Sequence, residues 1–265
     1  MAEPVAAAVD QAVRNEAVMA YVLGKAQNSA YWKLPLLGKV HLPEWLTLHG
    51  WMMVLASAFL IAAFYLAFRR KDPVPKGFAN LLEVLVLFVR DKIAIANLGE
   101  EDGRKMAPLL CTFFFFILTL NLMGLIPLFS TATANINVTA GLATTTLAVM
   151  IGGAIYKNGL MGFLHAFMPH GVPWPVLILL APIEFMGMFI KTFSLTIRLF
   201  ANMFAGHVVI YTLIGLVVMF GPLAFPAIGL AIGIYVLKIV VALLQAYVFT
   251  LLSAMFIAQV HHPEH

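Results

Sequence analysis

The chain has 265 residues, of which 62% are hydrophobic and 11% charged, and its mean hydropathy is +0.96. Typical soluble domains carry about 25% charged residues. A soluble globular enzyme is therefore excluded, and so is intrinsic disorder, which needs a polar and charged chain. The net charge of +4 does not imply a nucleic-acid partner, because eight of the 16 Lys and Arg residues lie between Arg69 and Lys105, as in a loop on the cytoplasmic face of a membrane.

Residues 1–45 mix acids, bases and apolar residues. A surface helix is expected over 8–26, and no cleavable signal peptide, because no continuous apolar stretch follows the start. The first long apolar run, about 46–68, can cross a bilayer, which takes roughly 20 residues. It stops at Arg69-Arg70-Lys71. After Pro73 and Pro75, residues 78–97 read as a helix carrying Glu83, Arg90, Asp91 and Lys92, lying at the interface or packed on other spans. GEEDGRK (99–105) reads as a solvated turn.

Two further spans follow, about 107–129 and 138–156, joined by the uncharged stretch STATANINVT (130–139), which reads as a tight hairpin. The single cysteine, Cys111, has no partner for an internal disulfide and reads as a buried structural thiol. Residues 159–175, with Pro169, Pro173 and Pro175, read as an irregular connector. Its His165 and His170 fit polar structural roles better than metal binding. Ile183 to Phe220 holds 38 residues without proline. As a helix it is roughly 57 Å long, against a hydrocarbon core of roughly 30 Å, so it either inclines steeply or breaks in two. The last stretch, about 227–260, is also long for one crossing, and GPLAFP (221–226) turns between the two. GLAIG (229–233) fits close helix packing.

The expected architecture is an all-α polytopic membrane protein of about five spans plus an interfacial helix. A single transmembrane domain (46–260) lies between an N-terminal extracytoplasmic segment (1–45) and a cytoplasmic tail (261–265), whose HHPEH is solvated. Nine Lys and Arg fall in loops on one side and four on the other. The excess marks the cytoplasmic side, so the N-terminus is expected outside and the C-terminus inside.

Between Met106 and Val260 only five side chains are charged: Lys157, Glu184, Lys191, Arg198 and Lys238. Lys157 sits at a span end and can snorkel. The other four fall in the two long helices, where a charge costs about 2.5–3.5 kcal/mol or more and marks function by default. Glu184, Lys191 and Arg198 are spaced seven apart, so they share one helical stripe, and Asn202 adds to it one turn on. Lys238 and Gln245 are likewise seven apart. A hairpin folded at Gly221-Pro222 places Arg198 opposite Gln245 and His207 near Lys238. HExxH, GxSxG and Walker-type motifs are missing, so the charges read as a charge-transfer path rather than a hydrolytic or nucleotide site.

The motif KTFSLTIRLFANMFAGH (191–207) resembles subunit a of the F-type ATP synthases. PIEF (182–185), NLMGLIP (121–127), INVT (136–139) and LLQAYVFTLLS (243–253) extend the resemblance over roughly residues 75–258. It implies a non-catalytic, proton-translocating stator subunit of the bacterial inner membrane, whose last two helices are long and strongly inclined. The implied partners are a ring of c subunits, b-type stator subunits, the rest of the ATP synthase complex and the lipid bilayer. No cofactor is implied. Arg198 would face the ring carboxylates, Asn202 and Gln245 would flank it, and Glu184 would line the cytoplasmic half-channel. His207 would belong to the outer half-channel. Lys238 departs from the family, which usually has Glu or His at that position. An ion-coupled secondary transporter is the alternative, disfavoured because many transporters carry internal repeats and none is visible here.

Overall fold

The computed structural model of the protein describes residues 31–34, 38–41, 47–69, 76–126, 129–165, 174–220 and 225–261. Strands β1 (Tyr31–Leu34) and β2 (Gly38–His41) form a small antiparallel hairpin with Tyr31 opposite His41. The remaining elements are helical: α1 (Leu48–Phe68), α2 (Phe78–Phe88), a π-helical turn (Val89–Ile95), α3 (Ala96–Leu125), a 3-10 turn (Ala132–Ala134), α4 (Ile136–His165), α5 (Trp174–Phe220) and α6 (Phe225–His261). Among the described residues, five helical segments are long and apolar enough to cross a membrane, as the sequence leads one to expect. The surface helix expected over 8–26 lies outside the described residues, and so does the tail beyond His261.

Thr47 starts α1, its side chain accepting from the Gly50 N–H at 3.4 Å. The helix expected over 78–97 forms, but it does not simply lie at the interface. Leu82, Val89, Ile93, Ala94 and Leu98 are buried in the main core. At Gly99 (φ +79°) the chain leaves helical geometry, in a region of conformation that favours glycine. Beyond it α3 crosses the π turn closely: a Cβ on Gly103 would lie 2.6 Å from the Ile95 Cα.

The solvated turn expected over 99–105 is therefore confined to Gly99. Residues 100–105 are helical, and Glu100–Arg104 and Glu101–Lys105 pairs at 2.8 Å reinforce them. Such i,i+4 pairs suit a first helical turn.

The second span ends at Leu125, short of the expected 129. Ile126 is extended (φ −79°, ψ 123°) because the following proline disfavours helical geometry in the residue before it. Asn135 opens α4, its Oδ1 accepting from the Asn137 N–H at 2.9 Å. The irregular connector expected from 159 is also corrected. Gly159 (φ +71°) kinks the chain, but helix resumes to His165, and α5 already begins at Trp174. Pro175 is tolerated there because the first helical turn needs no intrahelical N–H partner. Lys157 pairs with Asp102 and so ties the kinked end of α4 to the start of α3.

α5 is one unbroken helix of 47 residues, with Pro182 inside it. At 1.5 Å per residue it is about 70 Å long, and α6, at 37 residues, is about 55 Å. Neither fits upright in a core of roughly 30 Å, so both are steeply inclined, and the break considered for α5 does not occur. The core lies where α3, α4, α5 and α6 meet, around Leu110, Phe114, Ile117, Leu199, Phe249 and Ile257. Phe113 and Phe249 meet edge to face at 5.9 Å. α1 packs on the outside of α3, with Phe64 edge-on to Phe115 at 5.1 Å.

Candidate functional site

The polar side chains of the membrane region follow the seam between α5 and α6, where they are joined by the end of α3 and the 3-10 turn. Arg198 lies 24 residues from the start of α5 and 22 from its end. It is exposed, and no hydrogen bond or ion pair reaches it among the described residues. Ser194, Ala201, Asn202 and Ala205 are exposed on the same face. The guanidinium thus stands at mid-helix on a face of otherwise small side chains.

Asn202 donates from Nδ2 to Gln245 Oε1 at 2.6 Å. Gln245 is buried, and its Nε2 has no partner among the described residues. The opposition of Arg198 and Gln245 expected from the hairpin is therefore one turn off, since Asn202 occupies the amide oxygen. Part of the reason lies in the turn itself. The helices end at Phe220 and begin at Phe225, which moves its centre about one residue past Gly221-Pro222. The same shift brings His207 opposite Lys238.

Lys238 is 6% exposed, and its Nζ is buried without a hydrogen-bond partner among the described residues. Its stem passes over Gly206, where an added Cβ would meet the lysine Cε at 3.0 Å. The glycine before His207 thus makes room for the lysine. Lys238 therefore faces into the seam and not out to lipid headgroups.

His207 stacks on Tyr211, and its Nε2 lies 2.5 Å from Thr131 Oγ1. That hydroxyl also donates to the Gly124 carbonyl at 3.1 Å. A threonine hydroxyl has one proton, so with that proton on the Gly124 carbonyl Nε2 is the donor, and in the neutral ring Nδ1 then carries a lone pair. Tyr235 OH donates to the Leu125 carbonyl. The final carbonyls of α3, left without intrahelical partners, are thereby held by side chains from the loop and from α6. The negative end of that helix points into the cluster of two basic groups.

Of the other charges, Glu184 is exposed. Lys191 donates to Gln259 Oε1 at 2.6 Å and lies 5.7 Å from the Phe256 ring centre, so it couples α5 to α6 rather than lining the Arg198 face. Gly229 and Gly233 meet nothing within 4 Å. The close packing expected for GLAIG does not take place among the described residues. Cys111 is half-buried and directs Sγ toward the Val86 carbonyl at 3.9 Å. Among the described residues no group of three metal-ligating side chains occurs.

Sequence reasoning missed Thr131, Tyr235 and the buried Asn121. Asn121 donates to the Ala242 carbonyl at 3.4 Å and accepts from Thr133 Oγ1 at 2.8 Å. The signal for Thr131, and for the Thr133 that binds Asn121, was the density of Ser, Thr and Asn in 130–139, read only as a hairpin.

Five apolar spans carrying a polar, partly charged seam between the two longest define a multi-pass α-helical membrane protein. The chain belongs to the ATP synthase A chain family, whose model matches residues 50–258. It is 48% identical over 223 residues to ATP synthase subunit a of Anaeromyxobacter dehalogenans (strain 2CP-1 / ATCC BAA-258), covering 82% of this chain and 58% of that one. Against the subunit a of Chloroherpeton thalassium it is 46% identical over 244 residues, covering 86% and 73%. Against that of Myxococcus xanthus the figures are 43% over 232 residues, 83% and 76%. The chain thus spans less than two thirds of the Anaeromyxobacter relative's length.

Proposed function

We propose that the chain is the non-catalytic, proton-translocating stator subunit of the membrane sector of an F-type ATP synthase. In this reading it works against a ring of c subunits, beside b-type stator subunits, in the bacterial inner membrane, with its N-terminus outside. The observation that carries the reading is the exposed, unpaired guanidinium of Arg198 at the middle of a helix too long to stand upright.

A charge on an apolar membrane face needs a partner, and Arg198 finds none among the described residues. A ring carboxylate that has lost its proton is an anion in low dielectric, costly when alone and stabilised beside an arginine. Small neighbours on the α5 face permit close approach of another helix. Arginine itself does not deprotonate in proteins, so it blocks direct passage and each proton must travel on the ring. Two half-channels meet this barrier from opposite sides. Glu184 serves the cytoplasmic one, and His207 with Lys238 the outer one. Asn202 and Gln245 brace the seam next to Arg198. The driving force is about 2.3 kcal/mol per charge per 100 mV.

The test is Arg198→Ala in the assembled complex. Proton-coupled ATP synthesis should vanish with assembly intact, and passive proton leak should rise. Arg198→Lys should not restore coupling, because a desolvated ammonium can lose its proton. Vesicles of the alanine variant that still build a normal ATP-driven gradient would refute the proposal. Purification of the chain as a lone oligomer, without a small ring-forming subunit, would favour a transporter instead.

A further inference from the structure

Away from the seam, a cavity of about 710 Å³ opens between α1, α2 and α3. Its wall is apolar, with Leu60, Ile61 and Phe64 on one side and Phe115 and Phe116 on the other. The polar atoms of that wall are turned back into the fold. Ser57 Oγ donates to the Met53 carbonyl, Thr112 Oγ1 to the Pro108 carbonyl and Cys111 Sγ to the Val86 carbonyl. The exceptions are Arg90 and Arg104, which also line the cavity. On α3 the lining runs as one stripe with Arg104 at its N-terminal end and Phe116 at the other, about 18 Å long.

Each guanidinium keeps donors to spare. Arg90 uses Nε and Nη2 on Asp91, and Arg104 uses Nη2 on Glu100, out of five N–H groups apiece. These ion pairs are exposed and exchange readily for another acceptor.

We infer that this groove binds one anionic glycerophospholipid, its phosphate on Arg90 and Arg104 and an acyl chain along the α1–α3 wall. Basic pockets between membrane helices are known receptors for such headgroups, and the volume falls in the range of small-ligand sites. The inference rests on the chain being a membrane protein and not on the proposed ion translocation.

The experiment is photolabelling of the full chain in vesicles of phosphatidylcholine, with and without phosphatidylglycerol, using acyl-chain diazirine versions of each lipid. Phosphatidylglycerol adducts should map to the Leu60, Ile61 and Phe115 peptides and exceed phosphatidylcholine adducts about tenfold. Arg90→Gln and Arg104→Gln should each reduce them about fivefold. Leu60→Trp, which fills the groove and leaves both arginines in place, should abolish them at unchanged thermal stability. Equal labelling by the two lipids, or arginine variants that label like the parent, would overturn the inference. So would loss of the label when the chain is part of its assembled complex, which would assign the groove to a partner chain.

Discussion

At Lys238 a buried amino group and an adjacent imidazole share one end of the α5–α6 seam, and the lysine has no acceptor among the described residues. Leaving a polar donor buried and unsatisfied costs free energy. Lys238→Met should therefore raise stability by about 1–3 kcal/mol, read as a higher Tm, while in the proposed function proton flux through the outer half-channel falls. His207→Ala should lower flux as well. If the two share one site, the double variant will differ from additivity by about 0.5–3 kcal/mol. Strict additivity, or parental flux in all three, would move the inlet elsewhere. Thr131 offers a separate reading of the same site. Thr131→Val keeps the shape but removes both the acceptor for His207 Nε2 and the donor to Gly124. It should shift the pH profile of flux, and Thr131→Ser should restore it. A purely structural threonine would change Tm and leave the profile unmoved.

Two glycines show how an element's geometry is set by what crosses it. A Cβ on Gly103 would meet Ile95 backbone at 2.6 Å, and one on Gly124 would meet the Thr131 side chain at 2.6 Å. Gly103→Ala should destabilise by about 1–3 kcal/mol or more, since backbone cannot swing aside. Gly124→Ala should cost less in Tm but lower flux, because it displaces the threonine that holds His207. Gly229→Ala, in open space, should leave Tm unchanged or raise it.

The sequence carried the apolar lengths and hence the number of spans. Through the spacing of Lys238 and Gln245 it also drew attention to the α5–α6 seam, where both side chains are buried. It did not disclose the turn-back at Gly99 or the helix beyond Gly159, because a polar run such as GEEDGRK reads the same in a loop and in a helix laced by i,i+4 pairs. Nor did it disclose Thr131. That contact depends on where α3 stops and how the loop returns, which are matters of tertiary packing and not of periodicity.

Over the whole molecule, α5 and α6 present large exposed apolar side chains such as Val209, Leu237 and Leu244, interrupted on α5 by Arg198 and its small neighbours. In the proposed function this is the face the ring approaches. Ala205→Trp should leave the isolated chain's stability within about 0.5 kcal/mol of the parent, as expected for an exposed position. It should nonetheless abolish coupled ATP synthesis in the complex by holding the ring off. A variant that couples normally would place the ring on another face.

The length of α5 has a further consequence. The apolar stretch Leu179–Val217 holds 39 residues, about 58 Å of rod set into a layer about 30 Å thick. Such a rod spreads sideways, and its two ends stand about 50 Å apart in the plane of the layer. In the proposed function, half-channel openings tied to opposite ends are never one above the other. Whatever carries a proton between them then moves laterally as well as through the layer. In that reading the slant of one helix turns a vertical voltage into sideways travel, and reversing the voltage reverses the direction of that travel.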